Sequence, residues 1–266
     1  MMTNVLITGA SSGIGEALAL ECARRRAKTL FLGGRDRTRL ADVASRCAAL
    51  GAAVRTEAVD VTDEASMRAW IERADAEAAL DLVFANAGIA TGAEIEANIR
   101  RTFATNVGGV LNCALPAIAC FRRHGGGQLA LTASIAGYAP LVGCPAYSGT
   151  KACVKTWGLA MRGFLKKENI RVNVICPGFI RSRLTDANTC PMPFFMEAPK
   201  AARIIVDRVL RNVPLIAFPW PMRIAVWFLS VLPARLAEFI VSCLPEKTRR
   251  QGVITEGLPD GMRGGE

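Results

Sequence analysis

The chain has 266 residues, 51% of them hydrophobic, enough to bury one substantial core; α/β folds of this length are commonly a single domain, here expected over residues 1–250. Its formal charge of +10, from 33 basic and 23 acidic residues, is spread without any aromatic-and-basic stripe, which excludes nucleic acid and leaves a solvated surface, with anionic ligands or anionic lipid as the functional alternatives. Nine cysteines without a CxxC pair, and a single histidine (His124), exclude a disulfide framework and a metal site and point to reduced thiols in a cytoplasm-like compartment.

The opening "MMTNVLITGASSG" reaches glycine and serine after a few apolar residues, too short a run for a signal-peptide core, so no export is indicated. From there, short β-rich runs recur in chain order as "VLITGA", "TLFLGG", "VRTEAVDV", "LVFANAG", "GQLALTAS", "RVNVICPG" and "PLIAFP", separated by segments of helical length. That alternation predicts an α/β fold, a Rossmann-type doubly wound parallel sheet of about seven strands with helices on both faces. The first run leads into "TGASSGIGEALALECARRR", where Gly9, Gly13 and Gly15 precede an alanine- and leucine-rich helix. Such glycines let backbone approach a pyrophosphate, while the helix N-terminus offers free N–H groups and the positive end of its dipole. After the second run, where the common dinucleotide fingerprint has an acid for the ribose hydroxyls, this chain has Gly34 and then Arg35. A guanidinium there suits a 2′-phosphate, which favours NADP while leaving NAD possible; the adjacent Asp36 is a competing partner for it.

Further on, "CPAYSGTK" puts Tyr147 and Lys151 four residues apart, on one face of a helix. An ammonium held beside a phenol favours the phenolate, so the pair is expected to let Tyr147 exchange a proton closer to neutrality.

Together "TGASSGIG", "NAG" at Asn86 to Gly88, Asn106, Ser134, "YSGTK" and "PG" at Pro177 and Gly178 resemble, in order and spacing over roughly residues 3–185, a short-chain dehydrogenase/reductase. The resemblance implies Tyr147 as general acid in carbonyl reduction and base in the reverse direction, with Lys151 lowering its pKa and both touching the nicotinamide ribose. It implies Ser134 as hydrogen-bond donor to the substrate oxygen and Asn106 at a helical kink that holds a proton-relaying water. For the cofactor it implies Gly9, Ser11, Ser12, Gly13, Ile14 and Gly15 around the pyrophosphate, and Asp60 and Val61 at the adenine. Asn86, Ala87 and Gly88 would follow, then Pro177, Gly178, Ile180 and Ser182. Ala85 replaces the first of the family's usual two asparagines, and Ser182 stands where a threonine is usual.

The family's usual Val-Asp-Gly-Gly-like ending is absent. Residues 185–245 read instead as a substrate lid and a hydrophobic helical extension, and 251–266 as a flexible tail. Met192, Phe194, Phe195 and Met196 suit either an apolar pocket or ordinary core contacts. Across 217–244, Arg223, Arg235, Glu238 and three prolines interrupt the apolar pattern, against a membrane span. An amphipathic helix pair covering the substrate mouth, forming an oligomer interface or lying on a membrane surface fits the same residues.

The expected function is therefore an NADP-preferring oxidoreductase interconverting a secondary alcohol and a ketone or aldehyde on a small, apolar, lipid-like substrate. A homodimer or homotetramer is expected, cytoplasmic or membrane-associated. The alternative is a non-catalytic dinucleotide sensor or scaffold that uses the hydrophobic C-terminal region for contact.

Overall fold

The computed structural model describes residues 2–182, 185 and 192–242. Residues 186–191 of the expected lid, the end of the expected helical extension and the tail expected at 251–266 lie outside the described residues. Seven strands form one sheet: β1 Asn4–Thr8, β2 Thr29–Gly34, β3 Ala53–Ala58, β4 Leu82–Ala85, β5 Gly127–Thr132, β6 Ile170–Pro177 and β7 Leu215–Phe218. Their order is β3-β2-β1-β4-β5-β6-β7, and every neighbouring pair is parallel. All residues of β2 and β4 are buried, as continuous apolar runs require when helices cover both faces. The edge strand β3, "AVRTEA", carries exposed polar residues, and it ends at Ala58, before the expected Asp60 and Val61.

Alternate strand residues face two cores. Val5 and Ile7 of β1 pack with helices α1 (Gly13–Arg24), α2 (Arg37–Ala48) and α7 (Ala198–Leu210). Leu6 points the other way, to α3 (Glu64–Glu77), α5 (Gly109–His124) and α6 (Pro145–Phe164). Each fully buried Leu or Phe in these layers contributes about 1.5–3 kcal/mol, so the two helical layers hold the sheet far more strongly than any surface ion pair.

Helix α4 (Glu96–Phe103) continues through a π-helical turn, Ala104–Gly108, into α5. The combined Glu96–His124 helix is the one described helix long and apolar enough to cross a membrane, but half of its most apolar window is buried in the fold, as in a core helix. After β7 come α8 (Trp220–Val231) and α9 (Ala234–Ser242).

The chain runs outward from β1 to β3 and then returns to add β4 on the other side of β1. A crevice opens where the direction reverses, at the carboxyl ends of the strands.

Candidate active site

That crevice is a cleft of about 260 Å³. Gly9, Ser11, Ser12, Gly13, Ile14 and Gly15 wall it at the β1–α1 turn. Gly9 and Gly13 have φ of +67° and +58°, the left-handed region that side chains rarely adopt. At Gly15 a Cβ would lie 2.1 Å from the Gly9 carbonyl oxygen and 2.7 Å from Asn86 Nδ2, so only glycine lets the start of α1 come this close. Ser12, the N-cap of α1, makes no side-chain cap bond, leaving first-turn N–H groups to face the cleft. A wall of backbone and an uncapped helix start fits a pyrophosphate, which brings anionic oxygens to N–H donors.

Arg35, Asp60 and Val61 line the same cleft at the ends of β2 and β3. Asp36 does not compete for Arg35: it caps α2, accepting from Arg39 N at 3.0 Å and pairing with the Arg39 guanidinium. The carboxylate near Arg35 is Asp60, with 4.0 Å between Arg35 Nη1 and Asp60 Oδ2, and the Arg35 side chain is 62% exposed. Asp63, not Asp60, caps α3, accepting from Ser66 N at 3.0 Å, while Asp60 Oδ1 accepts from Thr62 N at 2.9 Å and from Thr62 Oγ1 at 2.8 Å at the cleft rim.

Asn86, Ala87 and Gly88 line the cleft after β4. Asn86 also ties strand ends together, its N donating to Thr8 Oγ1 at 2.9 Å and its Nδ2 to the Thr8 carbonyl at 3.1 Å. On the far side Pro177, Gly178, Ile180 and Ser182 complete the wall after β6.

Ser134, Tyr147 and Lys151 meet in the cleft between β5 and α6. Ser134 caps the short turn Ile135–Tyr138, accepting from Ala136 N at 3.1 Å, so it is both a cap and a cleft residue. Lys151 Nζ donates to the Thr132 carbonyl at 2.9 Å and lies 5.7 Å from the Tyr147 ring centroid. A Cβ on Gly88 would sit 3.2 Å from both Lys151 Nζ and Asn106 Oδ1, so this glycine makes room for the two side chains to converge.

Asn106 is fully buried in the π-helical turn, behind the cleft wall. Its Oδ1 accepts from Ile89 N at 2.8 Å, and its Nδ2 donates to the Ile89 carbonyl at 2.8 Å and to Thr150 Oγ1 at 3.2 Å. The expected kink is present, and the side chain it presents locks the loop after β4 against α6.

The electrostatics depart from expectation. Burial pushes the Tyr147 phenol up to about 12, only partly opposed by the Ser134 hydroxyl, rather than down toward neutrality. Burial also pulls Lys151 down, to about 8. The lysine's amine is directed to the Thr132 carbonyl instead of the phenol, and desolvation is the largest influence on both groups.

Several residues that position this corner escaped the sequence reading. Within "YSGTK", buried Ser148 donates to the carbonyls of Ala136 at 2.8 Å and Ala139 at 2.7 Å, and Thr150 donates to the Tyr147 carbonyl at 2.8 Å. The Glu94 carboxylate accepts from Ala146 N at 3.2 and 3.3 Å and so caps the start of α6 next to Tyr147. Thr132 and Thr185 also line the cleft. Side-chain hydroxyls inside a recognised motif were the available signal for Ser148 and Thr150; Glu94 lies 52 positions from its partner and left none.

Of the residues that suit either an apolar pocket or core contacts, the described ones favour the core or the surface. Met196 packs against the core beside Ile180, Phe194 is 57% exposed, and Arg181 lies 5.3 Å over the Phe195 ring. None of Met192, Phe194, Phe195 and Met196 lines the described cleft. No group of three metal-ligating side chains occurs among the described residues.

Comparison with known proteins gives a consistent neighbourhood. The short chain dehydrogenase family model matches residues 3–190. An uncharacterized oxidoreductase of Myxococcus xanthus is 36% identical over 236 residues, covering 86% of this chain and 92% of that protein. The 17-beta-hydroxysteroid dehydrogenase 13 of Rattus norvegicus is 26% identical over 247 residues, 89% of this chain and 81% of that protein. Among solved structures, a short-chain dehydrogenase from Sphingobium yanoikuyae in complex with NADPH superposes with a TM-score of 0.76 at 25% identity, over 91% of this chain and 96% of that one.

Proposed function

This chain belongs to the short-chain dehydrogenase family and is an oxidoreductase; from that premise we propose that it uses NADP to interconvert an alcohol and its carbonyl on an apolar, lipid-like substrate. The observation that carries the reading is the convergence, in one cleft, of the glycine-walled turn and the Ser134, Tyr147 and Lys151 side chains.

The Gly9 to Gly15 turn and the start of α1 would hold the pyrophosphate, Asp60 and Val61 the adenine end, and Arg35 a 2′-phosphate. When bound, the nicotinamide supplies or accepts a hydride. In carbonyl reduction Tyr147 donates its phenolic proton to the carbonyl oxygen as negative charge develops there, and in alcohol oxidation it takes that proton back. A phenol raised to about 12 holds its proton at neutral pH but is a weak acid, so proton transfer from it relies on a positive charge nearby to favour the phenolate. Ser134 donates a hydrogen bond to the same oxygen, stabilising the charge that develops there. Charged Lys151 favours the phenolate left behind, and Asn106 is a positioning residue that keeps Lys151 and the Gly88 loop in register.

Support for NADP comes from Arg35 at the cleft rim and from the NADPH held by the Sphingobium yanoikuyae protein. Support for a lipid-like substrate comes from the steroid-dehydrogenase relative and the apolar C-terminal helices. The test is to titrate the protein with NADPH and NADH, then to follow NADPH oxidation across ketones and aldehydes graded by hydrophobicity. Turnover rising with substrate hydrophobicity is expected. Tight dinucleotide binding with no turnover on any carbonyl would replace this reading with that of a non-catalytic sensor.

A further inference from the structure

Helix α8 is apolar around almost its whole circumference yet buries only one side. Met222 and Val226 pack against the core. On the opposite side Trp220, Ile224, Trp227 and Val231, spaced by four, three and four positions, fall in one stripe and are 72%, 55%, 57% and 59% exposed. Phe228 flanks the stripe at 54% exposure. A continuous apolar face of this kind on a soluble fold marks an interaction site rather than scattered surface residues.

Composition, length and charge identify the partner. Twelve residues span about 18 Å along a helix, well short of a bilayer's hydrocarbon core of about 30 Å, so α8 is suited to lie in an interface and not to cross it. Two of the chain's four tryptophans occupy the stripe, and tryptophan partitions to the boundary between headgroups and acyl chains. Arg223, the one charged residue of α8, is exposed beside the stripe, and Arg235 is exposed at the start of α9. Neither pairs with a carboxylate among the described residues. At a formal charge of +10, two copies meeting on this face would bring like charges together, whereas an anionic lipid surface would neutralise them. The helix also starts at the cleft: a Cβ on Gly178 would lie 2.9 Å from Pro219 Cδ and 3.2 Å from Met222 Sδ.

We propose that α8 docks this chain on an anionic lipid surface, with Trp220, Ile224, Trp227 and Val231 seated at the boundary between headgroups and acyl chains and Arg223 and Arg235 facing lipid phosphates. Docked in this way, the Gly178 edge of the cleft lies close to the bilayer, so an apolar molecule dissolved there has a short route to it.

The test uses the full chain with phosphatidylcholine vesicles, with and without about one third phosphatidylserine, read by co-sedimentation and by tryptophan emission. Binding to the anionic vesicles at low salt is expected, with a blue shift from Trp220 and Trp227, because Trp70 is already 3% exposed in the core and Trp157 of α6 packs against that core, partly buried. Binding should weaken at about 1 M salt, where the Debye length is about 3 Å. Trp227→Glu and Ile224→Glu should each weaken it by about tenfold or more, and Arg223→Gln by about fivefold. Circular dichroism and sedimentation velocity should show the same fold and oligomeric state for each variant. No partition at low salt, or partition unaffected by Trp227→Glu and Ile224→Glu, would overturn the proposal. So would a change of oligomeric state in those variants, which would assign the stripe to a second copy.

Discussion

The two sides of the cleft are held by different physics. Along β1 and α1 the wall is backbone, made possible by glycines whose missing side chains leave N–H groups within reach. Along β5 and α6 it is side chain: a half-buried phenol and a buried amine, with pKa values moved to about 12 and about 8. On the proposed reading, the first side would recognise shape and negative charge, and the second would work through the protonation state that burial imposes. Substitutions on one side should therefore change binding, and on the other side turnover and pH dependence.

The largest separation is expected from Tyr147→Phe. Turnover should fall by about a thousandfold, while NADPH affinity, measured by fluorescence titration, stays within about threefold of the parent. A parallel loss of affinity would mean that the phenol acts as part of the dinucleotide wall.

Lys151→Met should separate function from stability. Its pKa of about 8 in the folded state lies below the ordinary lysine value, so the unfolded chain holds more protons between about pH 8 and 10.5. Parent stability therefore rises with pH across that window, and the full desolvation penalty applies below it. The variant should lose about a hundredfold in turnover yet gain about 1–3 kcal/mol in stability at pH 7, with the gain shrinking toward pH 10.5. Denaturant unfolding at several pH values measures this, and a destabilised variant at pH 7 would show that the Thr132 hydrogen bond outweighs desolvation.

On the backbone side, Gly15→Ala places a Cβ against the Gly9 carbonyl, and neither backbone can yield cheaply. NADPH affinity should drop by about tenfold to a hundredfold and stability by about 1–3 kcal/mol, with turnover at saturating cofactor changed much less. Arg35→Ser should have the smallest effect: about tenfold weaker NADPH binding and NADH binding unchanged within about twofold, because the side chain is exposed and shared with Asp60. Equal losses for both cofactors would remove Arg35 from 2′-phosphate recognition.

The same divide explains what was legible in the sequence. The strands and the glycine turn are local patterns of apolar runs and glycine spacing, and each has its counterpart in the structure, although β3 stops at Ala58, short of the run that extends to Val61. Spacing along α6 predicts an easier proton exchange at Tyr147 but carries no information on burial, which raises the phenol to about 12. Glu94, Ser148 and Thr150 were missed because their partners come from other elements or from backbone carbonyls that no side-chain pattern reveals. In the C-terminal region the apolar pattern of α8 was plain, but which side it buries followed only from packing against the core.

The most direct test of the account follows a label. NADPH deuterated on the transferred face of its nicotinamide C4 is supplied with a hydrophobic ketone, and the alcohol product is analysed by mass spectrometry. The account predicts deuterium on the carbinol carbon with the parent protein, and product reduced by about a thousandfold with Tyr147→Phe under saturating cofactor. Labelled product formed equally fast by Tyr147→Phe would contradict it.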